Sequence, residues 1–140
     1  MGLSLQNHLE YIFSENELKC DAQKTTENKN KPDFIFPNIN SYHEPLFPTA
    51  SLRMLAAKST CKERWRQILT EANRISTKHL CTLDYSISPD TFAEMKRQSI
   101  VLVLPEKIRC TYSQDIVDET ENIQIFIAEI KQIQNSAVNN

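Results

Sequence analysis

Residues 31–71 contain the pattern that most constrains the fold of this chain: two short apolar strands and a charged helix in a fixed order. The spacing predicts a first strand over residues 33–36, a proline-rich loop over 38–48, a second strand over 52–57 and a helix over about 62–75. A helix that follows directly on a strand must pack back on the sheet. The segment therefore predicts a layered α/β structure.

The remaining chain continues the alternation of strands and helices. The patterns predict a helix at residues 4–19, a strand at 78–83, a short helix beginning at Ser88, a strand at 100–104 and a last helix at about 120–133, with a frayed tail after residue 134. At 140 residues the chain is expected to form a single domain, residues 1–140. Its fold class is predicted to be α/β, a mixed sheet flanked by helices.

Composition limits the partners and the location of the protein. No apolar run approaches the roughly 18 residues of a membrane span, and the first residues lack the basic start and apolar stretch of a signal peptide, which together predict a cytoplasmic protein without membrane contact. The formal net charge of −2 is weak evidence against a nucleic-acid partner. Residues 52–79 nevertheless hold seven basic and two acidic side chains, a local charge of +5.

Cysteines and histidines are scattered along the sequence. The four cysteines, Cys20, Cys61, Cys81 and Cys110, contain no closely spaced pair, and neither do the three histidines. Zinc sites usually show such close pairs. The pattern predicts free, largely buried thiols and indicates no metal cluster built on His or Cys.

Asp33, Lys58 and Glu71 are the candidate residues for chemistry. Hydrolysis of a phosphodiester needs acidic ligands for a metal ion and benefits from a nearby fixed cation. Asp33 begins the first strand and Lys58 ends the second, 25 residues later, so both can reach one sheet margin. The usual second acid, two residues before the lysine, is replaced by Ala56, and Glu71 on the following helix can substitute for it. Two carboxylates, with the Ala57 carbonyl as a further oxygen, suit Mg²⁺.

Each of these residues also has a structural interpretation. Asp33 after Pro32 can simply form a turn into the strand. Lys58 and Glu71 can lie on a solvated strand end and a solvated helix face. Their occurrence together, on strand, strand and helix in this order, makes the catalytic and the structural interpretations about equally strong.

Five segments resemble the catalytic domain of EcoRII-type restriction endonucleases. They are residues 26–29, 31–37, 42–45, 55–69 and 78–80, and the similarity extends over about residues 2–104. The resemblance implies a restriction-endonuclease-like fold of the Pro-Asp…Lys superfamily. It also implies a Mg²⁺-dependent type II enzyme that cuts double-stranded DNA at short CC…GG sites, with Asp33 and Glu71 as metal ligands and Lys58 positioning the water or the phosphate.

The same resemblance suggests further site residues and a partner. Tyr42 matches a tyrosine treated as part of the active site in this family, although an aromatic anchor for the proline-rich loop explains it equally well. Lys62, Arg64 and Arg66 would contact DNA phosphates. Glu27 is a weaker candidate for the margin of the site. A homodimer is expected because palindromic sites match two-fold symmetry.

One departure from the family leaves alternatives open. Family members usually carry an arginine-rich segment, which helps to read bases, just before the counterpart of residues 2–9. This sequence starts at Met1, which gives the expectation of a domain truncated at its amino terminus. The alternatives are an inactive remnant that still binds DNA or protein, and a purely structural protein that uses its acidic tail as an interaction surface.

Overall fold

The computed structural model describes residues 4–26, 31–62 and 64–139, and within these ranges a five-stranded sheet forms the centre. The strands are β1 (Asp21–Ala22), β2 (Phe34–Phe36), β3 (Arg53–Lys58), β4 (Lys78–Thr82) and β5 (Ile100–Val103), in that spatial order. β1, β2 and β3 pair antiparallel, whereas β3, β4 and β5 pair parallel. The predicted mixed sheet is confirmed.

Helices cover both faces of this sheet. The α-helices are α1 (Leu5–Glu15), α2 (Ile39–His43), α3 (Pro89–Arg97), α4 (Glu106–Arg109), α5 (Gln114–Val117) and α6 (Ile123–Asn139), with 3₁₀ helices at Thr49–Ser51 and Arg64–Thr70. In the described ranges, no helix combines the length and the hydrophobicity that a membrane span requires.

Two apolar clusters lie on opposite faces of the sheet because side chains alternate along each strand. Phe34 and Phe36 of β2 pack with Phe13 of α1 and Phe126 of α6. Ile35, between the two phenylalanines, belongs instead to the cluster on the other face. That second cluster is formed by Tyr42, Trp65, Ile68, Leu80 and Met95 with their neighbours. The result is a three-layer α/β structure.

The helix predicted at residues 62–75 is the largest difference in secondary structure. It is a 3₁₀ helix of seven residues, Arg64–Thr70. Lys62 and Ala72, with φ of 31° and 50°, lie in the left-handed region and interrupt an α-helix on both sides. Trp65 and Ile68, three residues apart, still share one face of the 3₁₀ helix and are buried.

Three smaller predictions need correction. The predicted loop at 38–48 contains α2, because the Asn38 side chain caps it by accepting a hydrogen bond from Ser41 N at 2.7 Å. The tail predicted to fray continues as α6 to Asn139, and the Gln134 amide holds it to both backbone groups of Lys19. The last helix begins at Ile123 rather than about residue 120.

The four cysteines are free thiols, as the sequence predicts. Cys61 and Cys81 are buried, Cys20 is half-buried and Cys110 is exposed. Burial raises the pKa of Cys61 to about 11 and that of Cys81 to about 12. Buried thiols therefore stay protonated at neutral pH.

Candidate active site

Asp33 lies immediately before β2, and its carboxylate is fixed against β3. Asp33 Oδ2 accepts a hydrogen bond from Ala57 N at 2.7 Å. β2 and β3 are antiparallel with Phe34 opposite Leu55, so Asp33 lies beside Ala56 when this register is extended by one residue. The Asp33 carboxylate therefore lies next to Ala56, the position on β3 where the usual second acid is replaced by alanine.

Lys58 is the last residue of β3, one residue beyond the amide that Asp33 holds. Its side chain is half-buried, like those of Asp33 and Glu71. Because Ala56 packs in the cluster beneath the Arg64–Thr70 helix, alternation along β3 directs Lys58 to that same face. This is the face from which Glu71 approaches.

Glu71 follows the 3₁₀ helix directly, and its amide closes the last turn by donating to Ile68 O at 3.0 Å. Burial raises the pKa of Glu71 to about 7, the Lys58 ammonium opposes this shift, and the negative charge of Asp33 adds to it. Electrostatic effects of this kind require the three charged groups to lie close together. The fold thus brings Asp33, Lys58 and Glu71 to one place, although Glu71 arrives on a loop and not within an α-helix.

The chemistry of this group fits a divalent cation. Glu71 Oε1 is buried and has no hydrogen-bond partner among the described residues. A buried carboxylate oxygen without a partner is unfavourable unless a cation or donor satisfies it. Two carboxylates beside backbone oxygens match the ligands that Mg²⁺ prefers.

Tyr42 is buried, and its hydroxyl reaches the chain just beyond Glu71. Tyr42 Oη accepts a hydrogen bond from Arg74 N at 3.1 Å. In return the Arg74 guanidinium donates to the carbonyls of Ser41 (3.2 Å), Glu44 (2.9 Å) and Phe47. These contacts fix the loop after α2 to the segment that carries Glu71.

The sequence gives no signal for Lys78, a second cation beside Glu71. This lysine is only 4% exposed, and its Nζ donates to the carbonyls of Ala72, at 2.8 Å, and Ile75. Its positive charge also lowers the Glu71 pKa, although less than Lys58 does. The sequence predicts only a strand at Lys78. The tertiary fold brings the turn at Ala72, just after the 3₁₀ helix, next to its Nζ atom.

The three predicted phosphate-binding residues are exposed, but they differ in their surroundings. Arg66 donates to Glu94 Oε1 at 2.6 Å, and its guanidinium lies 4.4 Å from the centroid of the Trp65 ring. Lys62 and Arg64 lie at the start of the same segment, on the turn that leaves β3. Glu27 lies outside the described residues.

The sequence matches the family described as "EcoRII C terminal" over residues 1–127. The chain is 44% identical over 130 residues to "Type II restriction enzyme EcoRII" of Escherichia coli, which covers 92% of this chain and 32% of that protein. The chain thus spans about a third of the length of this relative.

Two solved structures share the fold. A complex described as "Metal-depleted Ecl18kI in complex with uncleaved, modified DNA" matches with a TM-score of 0.80 at 20% identity, over 94% of this chain and 44% of the other. A "Restriction endonuclease PspGI-substrate DNA complex" matches with a TM-score of 0.74 at 13% identity, over 94% of this chain and 60% of the other. From the sequence match over residues 1–127 and the 44% identity, the chain belongs to the EcoRII C-terminal family of restriction endonucleases.

Proposed function

We propose that this chain is a Mg²⁺-dependent type II restriction endonuclease that hydrolyses double-stranded DNA at short CC…GG-type sites. The observation that carries the proposal is the convergence of Asp33, Lys58 and Glu71, with a buried Glu71 oxygen that has no partner among the described residues. Family membership supports the type of enzyme. Such an enzyme would act in the cytoplasm, where the DNA is.

Each of the three residues has a separate role in this proposal. Asp33 and Glu71 hold the metal ion, with Asp33 oriented by the Ala57 amide. Lys58 carries a fixed positive charge for the attacking water or the scissile phosphate. Bound Mg²⁺ would supply charge neutralisation at the phosphate and a more acidic water.

Tyr42 is better explained as a positioning residue than as a group that contacts the reacting atoms. Its hydroxyl is used by Arg74 N, three residues after Glu71. Through this contact Tyr42 holds the backbone that presents Glu71.

Double-stranded DNA is the proposed partner, and a homodimer is the proposed assembly. Lys62 and Arg64 would contact phosphates and set the position of the enzyme without reading bases. Arg66 would do so after exchanging Glu94 for a phosphate. Two-fold symmetry in the dimer would match a palindromic site.

The test is cleavage of plasmid DNA that carries CCWGG and CCNGG sites, with Mg²⁺ or with EDTA, by the wild type and by Lys58→Ala. We expect Mg²⁺-dependent cutting that falls by about 100- to 1,000-fold in Lys58→Ala, the effect typical of removing one group that stabilises transition-state charge. Lys131→Ala, a lysine on α6, is the matched control and should cut normally.

Two results would contradict the proposal. Unchanged cutting by Lys58→Ala would show that this lysine has no catalytic role. A folded wild type that binds DNA in a salt-sensitive manner but never cuts it would favour the non-catalytic remnant instead.

A further inference from the structure

A second group of metal-ligating side chains lies on the other face of the sheet. His79, Glu121 and Glu129 each offer a ligand atom, and these atoms lie within 4.8 Å of one another. They line a cavity of about 390 Å³ together with Arg53 and other residues. Sequence spacing does not indicate this group, because 42 residues separate His79 from Glu121.

Three different backbone segments hold the group. His79 is the second residue of β4, and its ring centroid lies 5.2 Å from that of Phe126 on α6. Glu129 projects from α6, one turn after Phe126. Glu121 is held against β5, where its amide donates to Leu102 O at 2.9 Å. The positions are therefore fixed by the sheet and by a long helix.

This group is separate from the site of Asp33, Lys58 and Glu71. His79 pairs with Leu55 near the start of β3, whereas Lys58 pairs with Thr82 at its end. Three residues along a strand correspond to about 10 Å. His79 also faces the α1 and α6 side of the sheet, opposite to the 3₁₀ helix that presents Glu71.

Two buried polar atoms in this group have no hydrogen-bond partner in the part of the chain that the structure describes. His79 is only 3% exposed, and its Nδ1 atom, like Glu121 Oε1, is buried without a hydrogen-bond partner among the described residues. Arg53 Nε donates to Glu129 Oε1 at 3.2 Å, while Glu129 Oε2 lies 4.0 Å from His79 Nε2. Buried polar atoms are normally satisfied, so the unpartnered Glu121 oxygen, in one cluster with His79 and Glu129, points to a missing ligand. His79 offers its Nε2 atom to this cluster, since that atom is the one near Glu129.

We propose that His79, Glu121 and Glu129 bind a divalent transition-metal ion of the Zn²⁺ type. One imidazole and two carboxylates are a ligand set that Zn²⁺ accepts, whereas Mg²⁺ and Ca²⁺ prefer oxygen atoms alone. Ligands at about 2.0–2.2 Å from a tetrahedral ion lie about 3.3–3.6 Å apart. The ligand atoms here lie within 4.8 Å of one another, so the side chains must close by up to about 1.5 Å to complete the site. The ion would join β4, the segment after β5 and α6.

The decisive measurement is Zn²⁺ binding by isothermal titration calorimetry on the reduced full chain, with thermal unfolding recorded on the same samples. We expect Zn²⁺ to bind and to raise Tm. Loss of a residue that merely supports a metal ligand already weakens binding by about 10- to 100-fold, so Glu121→Gln and Glu129→Gln should each weaken it by more than about 100-fold. Both variants should fold, as circular dichroism can verify.

Matched controls locate the ion. Glu119→Gln is the control for Glu129→Gln, because each replacement removes one ion pair, with Lys96 and with Arg53 respectively. Glu119→Gln should bind Zn²⁺ normally. Glu71→Gln and Asp33→Asn should also retain it. In the Co²⁺-loaded protein, the near-ultraviolet spectrum should lack a thiolate-to-cobalt charge-transfer band.

The proposal is overturned if the folded wild type binds no Zn²⁺, or if Glu121→Gln and Glu129→Gln both bind it like the wild type. It is equally overturned if Glu71→Gln abolishes binding, which would place the ion at the other site. Loss of binding in Cys20→Ser or Cys110→Ser would instead assign the ion to thiols.

Discussion

Glu71, a proposed metal ligand, lies in an environment that is unfavourable for its charge. Burial raises its pKa to about 7 against the attraction of Lys58, so the folded protein holds this proton more tightly than the unfolded chain does. Because the folded pKa lies above the ordinary value of 4.5, stability falls as pH rises from about 4.5 to about 7, and the loss is complete above that range. A bound cation would offset this cost by stabilising the carboxylate.

We expect Glu71→Gln to be more stable than the wild type at pH 8 without Mg²⁺, while it loses cleavage. The amide removes the buried charge, so the difference should disappear at about pH 4, below the pKa of Glu71 in both the folded and the unfolded state. Urea unfolding at the two pH values, with and without Mg²⁺, measures this. Equal stability at pH 8 would mean that the Glu71 carboxylate is not destabilised by burial.

Tyr42 allows a second test at the scale of one side chain. Tyr42→Phe removes the acceptor for Arg74 N, and a hydrogen-bonding group left without its partner costs about 1–3 kcal/mol. The free energy of unfolding should fall by that amount, and the Mg²⁺ affinity of the Glu71 site should fall with it. Tyr85→Phe, at a tyrosine that is 70% exposed, is the control. A large loss of cleavage rate with unchanged stability and unchanged Mg²⁺ affinity would instead indicate a direct catalytic role.

At the scale of elements, the chain places residues other than glycine in left-handed positions. The only glycine in the sequence is Gly2, so asparagines are the expected substitutes because they tolerate the left-handed region better than most residues. Asn38 is extended and Asn40 is helical, however, and Asn28 and Asn30 lie outside the described residues. Among the described residues, the positive φ values belong to Glu17, Gln23, Lys62, Ala72 and Ser99. Glu17, Ala72 and Ser99 follow a helix, Gln23 follows β1, and Lys62 precedes a 3₁₀ helix. The sequence could not reveal these positions because they depend on how the ends of the helices and strands connect in the folded chain.

The end of α1 allows the energetic cost of a left-handed residue other than glycine to be measured. Glu17 has φ of 59° and completes a Schellman motif, in which Glu17 N donates to Ser14 O and Leu18 N donates to Phe13 O, both at 3.0 Å. Glycine is the preferred residue there, since a left-handed conformation costs other residues about 1–2 kcal/mol. We therefore expect Glu17→Gly to raise the free energy of unfolding by about 1 kcal/mol.

Glu15→Gly is the matched comparison, because the same replacement falls on the last residue of α1, which is still helical. Glycine at a helical position should lower the free energy of unfolding by up to about 1 kcal/mol. Both values come from chemical denaturation. If Glu17→Gly were as destabilising as Glu15→Gly, relief of the left-handed penalty would not outweigh the entropy cost of glycine.

Much of the fold could be predicted from the sequence, whereas the geometry of Glu71 could not. The roles of Asp33, Lys58 and Glu71 stay predictions. The strands at Phe34–Phe36 and Arg53–Lys58 follow from short apolar runs bounded by prolines and polar residues. Trp65 and Ile68 are buried in either kind of helix, so periodicity alone cannot separate a 3₁₀ helix from an α-helix. The contact between Lys78 and the turn at Ala72 depends on the packing of separate segments, which spacing does not encode.

At the scale of the whole molecule, a net charge of −2 coexists with a basic surface beside the proposed site. DNA affinity should fall with salt, and each lost phosphate contact should reduce the slope of log K against log salt by about 0.9. We expect Lys62→Ala and Arg64→Ala each to reduce it by about this much. Arg66→Ala should change it less, because Glu94 competes for the guanidinium.

Fluorescence anisotropy with a site-containing duplex, in the absence of Mg²⁺ so that no cutting occurs, measures these slopes. Lys131→Ala serves as the control on α6. If the wild type, Lys62→Ala and Arg64→Ala gave equal slopes, these residues would not contact phosphates, and the DNA would bind at another surface.

Because Cys61 and Cys81 are buried, their reactivity can report local unfolding at the centre of the sheet. Only the thiolate reacts with alkylating reagents, and in the folded state both thiols are enclosed and protonated. They become reactive when the segments around β3 and β4 separate, whereas the exposed Cys110 is accessible throughout and serves as the reference. The ratio of label at the two kinds of position therefore reports how often the centre of the sheet is exposed to solvent, without any engineered probe.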